Sequence, residues 1–284
     1  MQTLAKRSLG STGIEVSCLG LGTVKFGRNQ EVKYPQGFRL PSDAEVESLL
    51  AQAAELGINL LDTAPAYGSS EQRLGRLLRH RERWLLASKV GEEFLAGKSV
   101  YNFDRQSVRT SLERSLRNLK TDYLDLVLIH SDGNDLAILD ASDCVETLQK
   151  AKDSGLVRAI GMSTKTVAGG LRALELMDVA MVTYHAGATD DGTVIDYAAA
   201  HNKGILIKKA FNSGHMASGK SAGEESGGES GEASREDSRE AVQTDPAQQA
   251  LEFALSRPGV SSVIVGTINP RHLQSNVEVA LALG

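Results

Sequence analysis

Short apolar runs alternate along the whole chain with longer stretches in which apolar residues recur every three or four positions. The runs consist largely of Leu, Ile and Val, which is typical of parallel strands buried on both faces. The longer stretches have the period of an amphipathic helix. Eight strands are therefore predicted, over residues 17–22, 58–64, 84–90, 123–130, 157–163, 179–185, 204–210 and 261–267.

Turn and capping residues support the helices predicted between these strands. Residues 43–56 follow Ser42, a residue type favoured at the N-cap, and end before Gly57. Residues 104–119 repeat Val and Leu at helical spacing, and residues 143–154 again end before a glycine. The last two helices are predicted to begin at prolines, which the first turn of a helix accepts, namely Pro246 and Pro270.

This alternation of strands and helices predicts one α/β domain over residues 1–284, a single (β/α)8 TIM barrel. A doubly wound open sheet is the alternative fold. No Gly-x-Gly-x-x-Gly motif follows the first strand to support that alternative, so the closed barrel is favoured. Before the first barrel strand, residues 7–17 are predicted to form a β-hairpin that turns at Gly10 to Gly13.

Composition narrows the class of protein further. Hydrophobic residues make up 41% of the 284 residues and charged residues 24%, which is typical of a globular protein with a large core. The net charge of −5 argues against a nucleic-acid surface, and no apolar run reaches the roughly 20 residues of a membrane span. With only Cys18 and Cys144 and no secretory signal, we expect a cytoplasmic protein.

The excess negative charge is concentrated in one segment. Residues 217–245 contain eight acidic and three basic side chains, so this segment accounts for the net charge of the whole chain. Residues 217–244 are rich in Gly and Ser and too polar to bury a face, which predicts a disordered loop insertion. The alternative is a lid over the active face of the barrel.

Four side chains suited to acid–base chemistry stand where three consecutive predicted strands end: Asp62, Tyr67, Lys89 and His130. Each of these residues also has a non-catalytic interpretation when it is considered alone. Asp62 is then a turn or capping residue, Tyr67 covers the rim of the core, Lys89 is solvated and His130 is a structural histidine. Because the active site of a (β/α)8 barrel lies at the C-terminal ends of its strands, the four are expected to converge at one mouth. Their combination indicates a catalytic site.

This set is suited to the reduction of a carbonyl group. A hydride that reaches the carbonyl carbon leaves negative charge on oxygen, which a proton or fixed donors must neutralise. We expect Tyr67 to give that proton, and Lys89 to lower the pKa of Tyr67 from its ordinary value of about 10. Asp62 is expected to pair with Lys89, and His130 to donate a hydrogen bond to the carbonyl oxygen.

Six motifs then follow one another along the chain. They are LGLGT (19–23), LLDTAPAYG (60–68), SKVG (88–91), LERSLRNLKTDYLDLVLIHSD (112–132), GLVRAIGMST (155–164) and VGTINPRHLQSN (265–276). In this order they closely resemble the aldo-keto reductase family over nearly the whole length of the chain. The resemblance implies an NAD(P)H-dependent oxidoreductase in which Asp62, Tyr67, Lys89 and His130 form the catalytic tetrad.

The resemblance also implies a set of cofactor-binding residues and departures from the family pattern. Thr164 stands where asparagine is usual, and the glutamine common at the end of the strand at 179–185 is missing. Gly266 and His272 replace a lysine and an arginine of many members. The implied set is Gly22, Thr23, Val24, Asp62, Ser163, Thr164, Phe211, Gly266, Thr267, Arg271 and Asn276.

NADPH is the expected cofactor on family grounds, with NADH as the alternative. Arg271 is either a ligand of the 2′-phosphate or a solvated residue of the first helical turn. The substrate is expected to be an aldehyde or ketone, with sugars and small aldehydes both open. The loop over residues 27–41 offers Tyr34 and Phe38 as an apolar wall and Arg28 and Lys33 as polar contacts, or it is a plain surface loop.

Two other functions are compatible with a barrel. One is a nicotinamide-binding regulatory or redox-sensing module in which turnover is incidental. The other is an isomerase or lyase, which is disfavoured because no paired carboxylates or metal-ligand cluster stand at the strand ends. No metal is expected, and the sequence leaves the oligomeric state and the physiological direction open.

Overall fold

In the computed structural model, which describes residues 3–32, 34, 37–211 and 245–283, eight parallel strands close into a barrel. The predicted (β/α)8 fold is confirmed. The described strands are Lys6–Ser8 (β1), Glu15–Ser17 (β2), Leu19–Gly22 (β3), Leu60–Asp62 (β4), Leu85–Val90 (β5), Glu92–Leu95 (β6), Lys98–Tyr101 (β7), Leu124–His130 (β8), Val157–Ser163 (β9), Val179–Thr183 (β10), Gly204–Lys208 (β11) and Ser262–Val265 (β12). Around the barrel the strands run β3, β4, β5, β8, β9, β10, β11 and β12, and β12 pairs with β3.

The barrel strands match the apolar runs, with small differences at their ends. The run at 157–163 coincides with β9, whereas the run at 204–210 continues two residues beyond β11. Ser17 belongs to the N-terminal hairpin and not to the first barrel strand. The apolar runs are longer than the strands because residues beyond the last strand hydrogen bonds remain buried at the mouth of the barrel. Ala210 is an example.

The N-terminal hairpin is also confirmed. Strands β1 and β2 pair antiparallel, and Gly10 and Gly13 adopt the left-handed backbone that the turn requires, with φ of 58° and 71°. Leu9, Ile14 and Val16 are buried with the side chains that fill the barrel interior. Leu9 also packs on Gly204, the first residue of β11. The hairpin therefore closes the N-terminal end of the barrel.

Helices cover the outside of the barrel. Ser42 and Glu45 form a reciprocal capping box at the first long helix, and the side chain of Asp104 caps the helix that follows β7. Two helices begin at Pro246 and Pro270, as predicted. The described helices are Val24–Gly27 (α1), Asp43–Glu55 (α2), Ser70–Leu77 (α3), Arg105–Leu119 (α4), Asp135–Ala141 (α5), Cys144–Asp153 (α6), Val167–Leu176 (α7), Gly192–Ala200 (α8), Pro246–Leu255 (α9) and Pro270–Ala282 (α10).

A second hairpin, formed by β6 and β7, was not predicted from the sequence. Gly91 has a φ of 96°, which turns the chain away from β5 and into this hairpin. Its outer side chains Leu95 and Val100 are exposed, so it lacks the buried apolar run by which the barrel strands were found. The hairpin places Glu92 against the mouth of the barrel.

The acidic segment predicted over residues 217–244 lies outside the described residues. Among the helices that the structure describes, none combines the length and the apolar character needed to span a membrane.

Candidate active site

A cavity of about 670 Å³ opens at the C-terminal ends of the barrel strands. This volume is within the range typical of small-molecule sites. Asp62, Tyr67, Lys89 and His130 all line it, so the structure brings the four predicted catalytic side chains into one space. Asp62, Lys89 and His130 come from the last or next-to-last residue of β4, β5 and β8.

Tyr67 is positioned by a turn that packs directly on a neighbouring backbone. It ends the 3-10 turn Pro65–Tyr67 that follows β4. The next residue, Gly68, has a φ of 61°, and a Cβ atom built there would lie 2.2 Å from the carbonyl oxygen of Gly27. A Cβ atom on Gly27 would in turn lie 2.3 Å from the carbonyl oxygen of Tyr67. Glycine is required at both positions, and the resulting contact fixes the Tyr67 backbone.

Asp62 and Lys89 form a buried ion pair beside Tyr67. The Lys89 ammonium donates to Asp62 Oδ1 at 2.5 Å and to the Thr63 carbonyl oxygen at 2.9 Å. Asp62 is 4% exposed and Lys89 is 1% exposed. Lys89 Nζ also lies 4.8 Å from the centroid of the Tyr67 ring. The amine and the phenol therefore share the cavity.

The pKa of Tyr67 is nevertheless raised, so the net lowering of this pKa that was expected from Lys89 is not found. Burial raises this pKa well above its ordinary value, and the negative charges of Asp62 and Glu92 add to the effect. The Asp62 carboxylate offsets the charge of Lys89, because it is bonded directly to the ammonium. Tyr67 is consequently a protonated phenol at neutral pH.

His130 lies between Tyr67 and a carboxylate. Its ring packs edge-on against Tyr67, with the centroids 6.2 Å apart and the planes at 86°. His130 Nδ1 lies 2.7 Å from Glu92 Oε2, although the contact lacks the alignment of a linear hydrogen bond. Burial lowers the pKa of His130, and Glu92 opposes part of that change.

Glu92 influences which ring nitrogen of a neutral His130 carries the proton. Burial alone would raise the pKa of Glu92, but His130, Ser99 and Arg28 together lower it to about 2. An ionised carboxylate only accepts hydrogen bonds, so the proton of a neutral His130 belongs on Nδ1 and leaves Nε2 as an acceptor. The predicted hydrogen bond from His130 to a carbonyl oxygen requires a proton on Nε2.

The sequence that forms this barrel matches the model of a known protein family. The family model described as "Aldo/keto reductase family" matches residues 18–283. The chain belongs to the aldo-keto reductase family. Membership identifies this aldo-keto reductase as an oxidoreductase that interconverts carbonyl compounds and alcohols.

Similar proteins extend over nearly the whole length of this aldo-keto reductase. A solved structure from Pseudomonas aeruginosa, named as an aldo-keto reductase, is 50% identical, with a TM-score of 0.83 over 99% of this chain and 96% of the other. The L-galactose dehydrogenase of Arabidopsis thaliana is 26% identical over 100% of this chain and 90% of its own length. The D-threo-aldose 1-dehydrogenase of a Pseudomonas species is 28% identical over 95% and 91%.

The implied cofactor-binding residues divide into two groups. Those that line the cavity are Gly22, Val24, Asp62, Ser163, Thr164, Phe211 and Gly266. Thr23 is fully buried, and its hydroxyl donates to the Asp62 carbonyl oxygen, so it supports the strand end and does not face the cavity. The structure does not bring Thr267, Arg271 or Asn276 to the cavity wall.

The loop over residues 27–41 forms one side of this aldo-keto reductase cavity. Lys25 Nζ lies 4.1 Å from the centroid of the Tyr34 ring, and burial raises the pKa of Tyr34 to about 12. The Arg28 guanidinium lines the cavity and donates to three backbone carbonyl groups, those of Gln30, Glu31 and Ala66. Phe38 packs edge-on against Tyr34, and Lys33 lies outside the described residues.

Sequence reasoning missed several charged residues of the site, among them Glu92 and Lys208. Glu92 had no signal, because the hairpin that carries it was not predicted. Lys208 is the last residue of β11, and Lys89 is the next-to-last residue of β5. The sequence did carry a signal for Lys208, because it is the first polar residue of the apolar run at 204–210. Burial lowers the pKa of Lys208 to about 7, and the positive charge of Lys209 contributes. Within the described part of the chain, no cluster of side chains is arranged to hold a metal ion.

Proposed function

We propose that this aldo-keto reductase reduces an aldehyde or ketone to an alcohol, with hydride from NAD(P)H and a proton from Tyr67. The observation that supports this most strongly is the shared cavity of Asp62, Tyr67, Lys89 and His130. Tyr67 is a neutral acid at physiological pH, because burial keeps its phenol protonated.

The raised pKa of Tyr67 is compatible with proton donation. A bound NAD(P)H supplies the hydride. The negative charge then develops on an alkoxide oxygen, which is a stronger base than a phenolate, so the proton moves from Tyr67 to that oxygen. The tyrosinate left behind is stabilised by the Lys89 ammonium, and Asp62 holds that ammonium in place.

The cavity walls fit a nicotinamide cofactor. Ser163 and Thr164 line the cavity near the catalytic side chains. The Thr164 hydroxyl is buried and has no hydrogen-bond partner among the described residues, which marks a place where a polar ligand group is accommodated. Ser163 and Thr164 would hold the carboxamide of the nicotinamide ring.

NADPH is the proposed cofactor in preference to NADH. Arg271 is exposed in the first turn of α10, where backbone N–H groups and the helix dipole favour an anion. Its guanidinium is suited to the 2′-phosphate that NADPH carries and NADH lacks.

The proposed substrate is a sugar or a small aldehyde. Two relatives are named as dehydrogenases of sugars, L-galactose and D-threo-aldose. The cavity lining is mixed in polarity, with Lys25, Tyr34 and Glu92 close to the catalytic side chains, which suits a hydroxylated compound. Activity is therefore best measured in both directions, with aldehydes plus NADPH and with aldoses plus NADP+.

Replacement of the proposed proton donor tests this function. Tyr67→Phe is expected to lower turnover about 10²- to 10⁴-fold, the contribution of one positioned acid, and to leave the Kd for NADPH unchanged. Tyr184→Phe is the matched control, because Tyr184 is buried and stacks on Phe253 but does not line this cavity. Full turnover in Tyr67→Phe would show that another group donates the proton. Tight NADPH binding without turnover on any carbonyl or sugar would favour the regulatory module.

A further inference from the structure

A lysine spans the wall of the cavity where the nicotinamide would lie. Lys208, the last residue of β11, donates from Nζ to Ser163 Oγ at 2.8 Å and to the Thr164 carbonyl oxygen at 2.6 Å. Ser163 is the last residue of β9, so the lysine crosses the intervening strand β10. Met181 of β10 lines the cavity beneath it and supplies no side-chain donor for a strong hydrogen bond.

The wall around Lys208 has hydrogen-bonding groups for which the described residues provide no partner. An ammonium has three donor protons, and the described residues accept two of them from Lys208. The Thr164 hydroxyl beside it is buried and has no partner among the described residues. An unused donor and an unused hydroxyl on one wall match a primary carboxamide, whose oxygen accepts and whose NH2 group donates.

We propose that Lys208 binds the carboxamide of the nicotinamide ring, and that its positive charge makes the protein bind the reduced cofactor more tightly than the oxidised one. This inference rests on the proposed function. The reduced ring is neutral, whereas the oxidised ring carries a positive charge. A fixed cation on the wall of the ring's site therefore repels only the oxidised form.

The pKa of Lys208 determines the pH at which its charge can act on the cofactor. Asp135 and Asp191 raise the pKa of Lys208, whereas Lys89 and Lys209 lower it. Burial is the largest influence and brings this pKa to about 7. At about pH 6, one unit lower, most of the protein carries the Lys208 ammonium. Binding measured at that pH reports on the charged form.

Isothermal titration calorimetry with NADPH and NADP+, or with NADH and NAD+ if that pair binds more tightly, tests the proposal at about pH 6. In the wild type, the oxidised form is expected to have the larger Kd. Lys208→Met is expected to reduce the ratio of the two Kd values on the order of tenfold, the lower end of what a nearby like charge does to an ionic equilibrium. Lys208→Arg keeps the charge and is expected to keep the ratio.

Lys203→Met is the matched control. Lys203 precedes β11 at the opposite end of the barrel, and its Nζ donates to the Met177 carbonyl oxygen at 2.8 Å. This variant removes a partly buried lysine from the same segment and is expected to leave both Kd values unchanged. Lys208→Gln supplies a neutral amide donor and is expected to bind both forms with a reduced ratio.

The outcomes separate this inference from the proposed function. A wild-type ratio in Lys208→Met or Lys208→Gln, with both forms bound, would show that Lys208 only joins strand ends. A wild type that binds none of the four nucleotides would overturn the proposed function and this inference with it. If Lys208→Met fails to fold, the comparison of the Gln and Arg variants still decides between charge and hydrogen bonding.

Discussion

The buried pair of Asp62 and Lys89 makes a measurable prediction about stability. The two side chains are 4% and 1% exposed and are joined at 2.5 Å. Asp62→Asn removes the only carboxylate bonded to Lys89 among the described residues and leaves the ammonium with the Thr63 carbonyl oxygen. Removing one partner of a buried pair typically costs about 3–5 kcal/mol, because the other charge is left without compensation.

This free energy translates into a large thermal shift. For domains of this size class, each kcal/mol lowers Tm by about 2–4 °C, so Asp62→Asn is expected to melt roughly 6–20 °C below the wild type. Lys89→Met alone is expected to cost a similar amount, since it strands the Asp62 carboxylate. The double variant Asp62→Asn/Lys89→Met buries no charge and is expected to lose much less than the two single losses together.

Calorimetric melting of the four proteins without cofactor measures this coupling. Asp140→Asn is the control, because Asp140 belongs to the exposed pair with Arg172 and its replacement is expected to leave Tm unchanged. In Asp62→Asn the uncompensated ammonium should also lower the pKa of Tyr67, which ultraviolet titration of tyrosinate detects. Strictly additive losses of Tm in the double variant would refute the reasoning that the two residues act as one charged pair.

Two further predictions concern Glu92 and Arg271. The folded-state pKa of Glu92 is about 2 and its ordinary value is 4.5, so its ionised form stabilises the protein above pH 4.5 and this contribution is lost as the pH falls toward 2. Glu92→Gln is therefore expected to be less stable than the wild type at neutral pH, and urea unfolding should show the difference closing between pH 4.5 and 2; a constant difference would contradict the assignment. Arg271→Ala is expected to raise the Kd for NADPH about tenfold and to leave the Kd for NADH unchanged in the same titrations. An equal loss for both nucleotides would remove the preference for NADPH proposed above.

The sequence predicted the barrel well because its strands are buried on both faces. An apolar run such as residues 157–163 has no competing interpretation once helices flank it on both sides, and its strand has the same bounds. The positions of Asp62, Lys89 and His130 followed from these runs, because a polar residue at the C-terminal end of a buried strand lies at the mouth of the barrel. The same rule finds Lys208 when it is applied to β11.

Other features of the site depend on packing that the sequence does not display. Glu92 reaches His130 only because Gly91 directs the chain into an exposed hairpin, which has no apolar run. The direction of the Tyr67 pKa depends on the balance between a nearby ammonium, a nearby carboxylate and the loss of water. Residue types and their order reveal the partners but not which of these effects is larger.

The N-terminal hairpin lies outside the segment that the family model matches, yet it is part of the folded domain. The match to the family begins at residue 18, immediately after β2. Leu9, Ile14 and Val16 nevertheless complete the barrel interior from below. The segment that the family model matches is therefore smaller than the folded unit, because residues 18–283 without the hairpin would leave apolar side chains uncovered at the N-terminal end of the barrel.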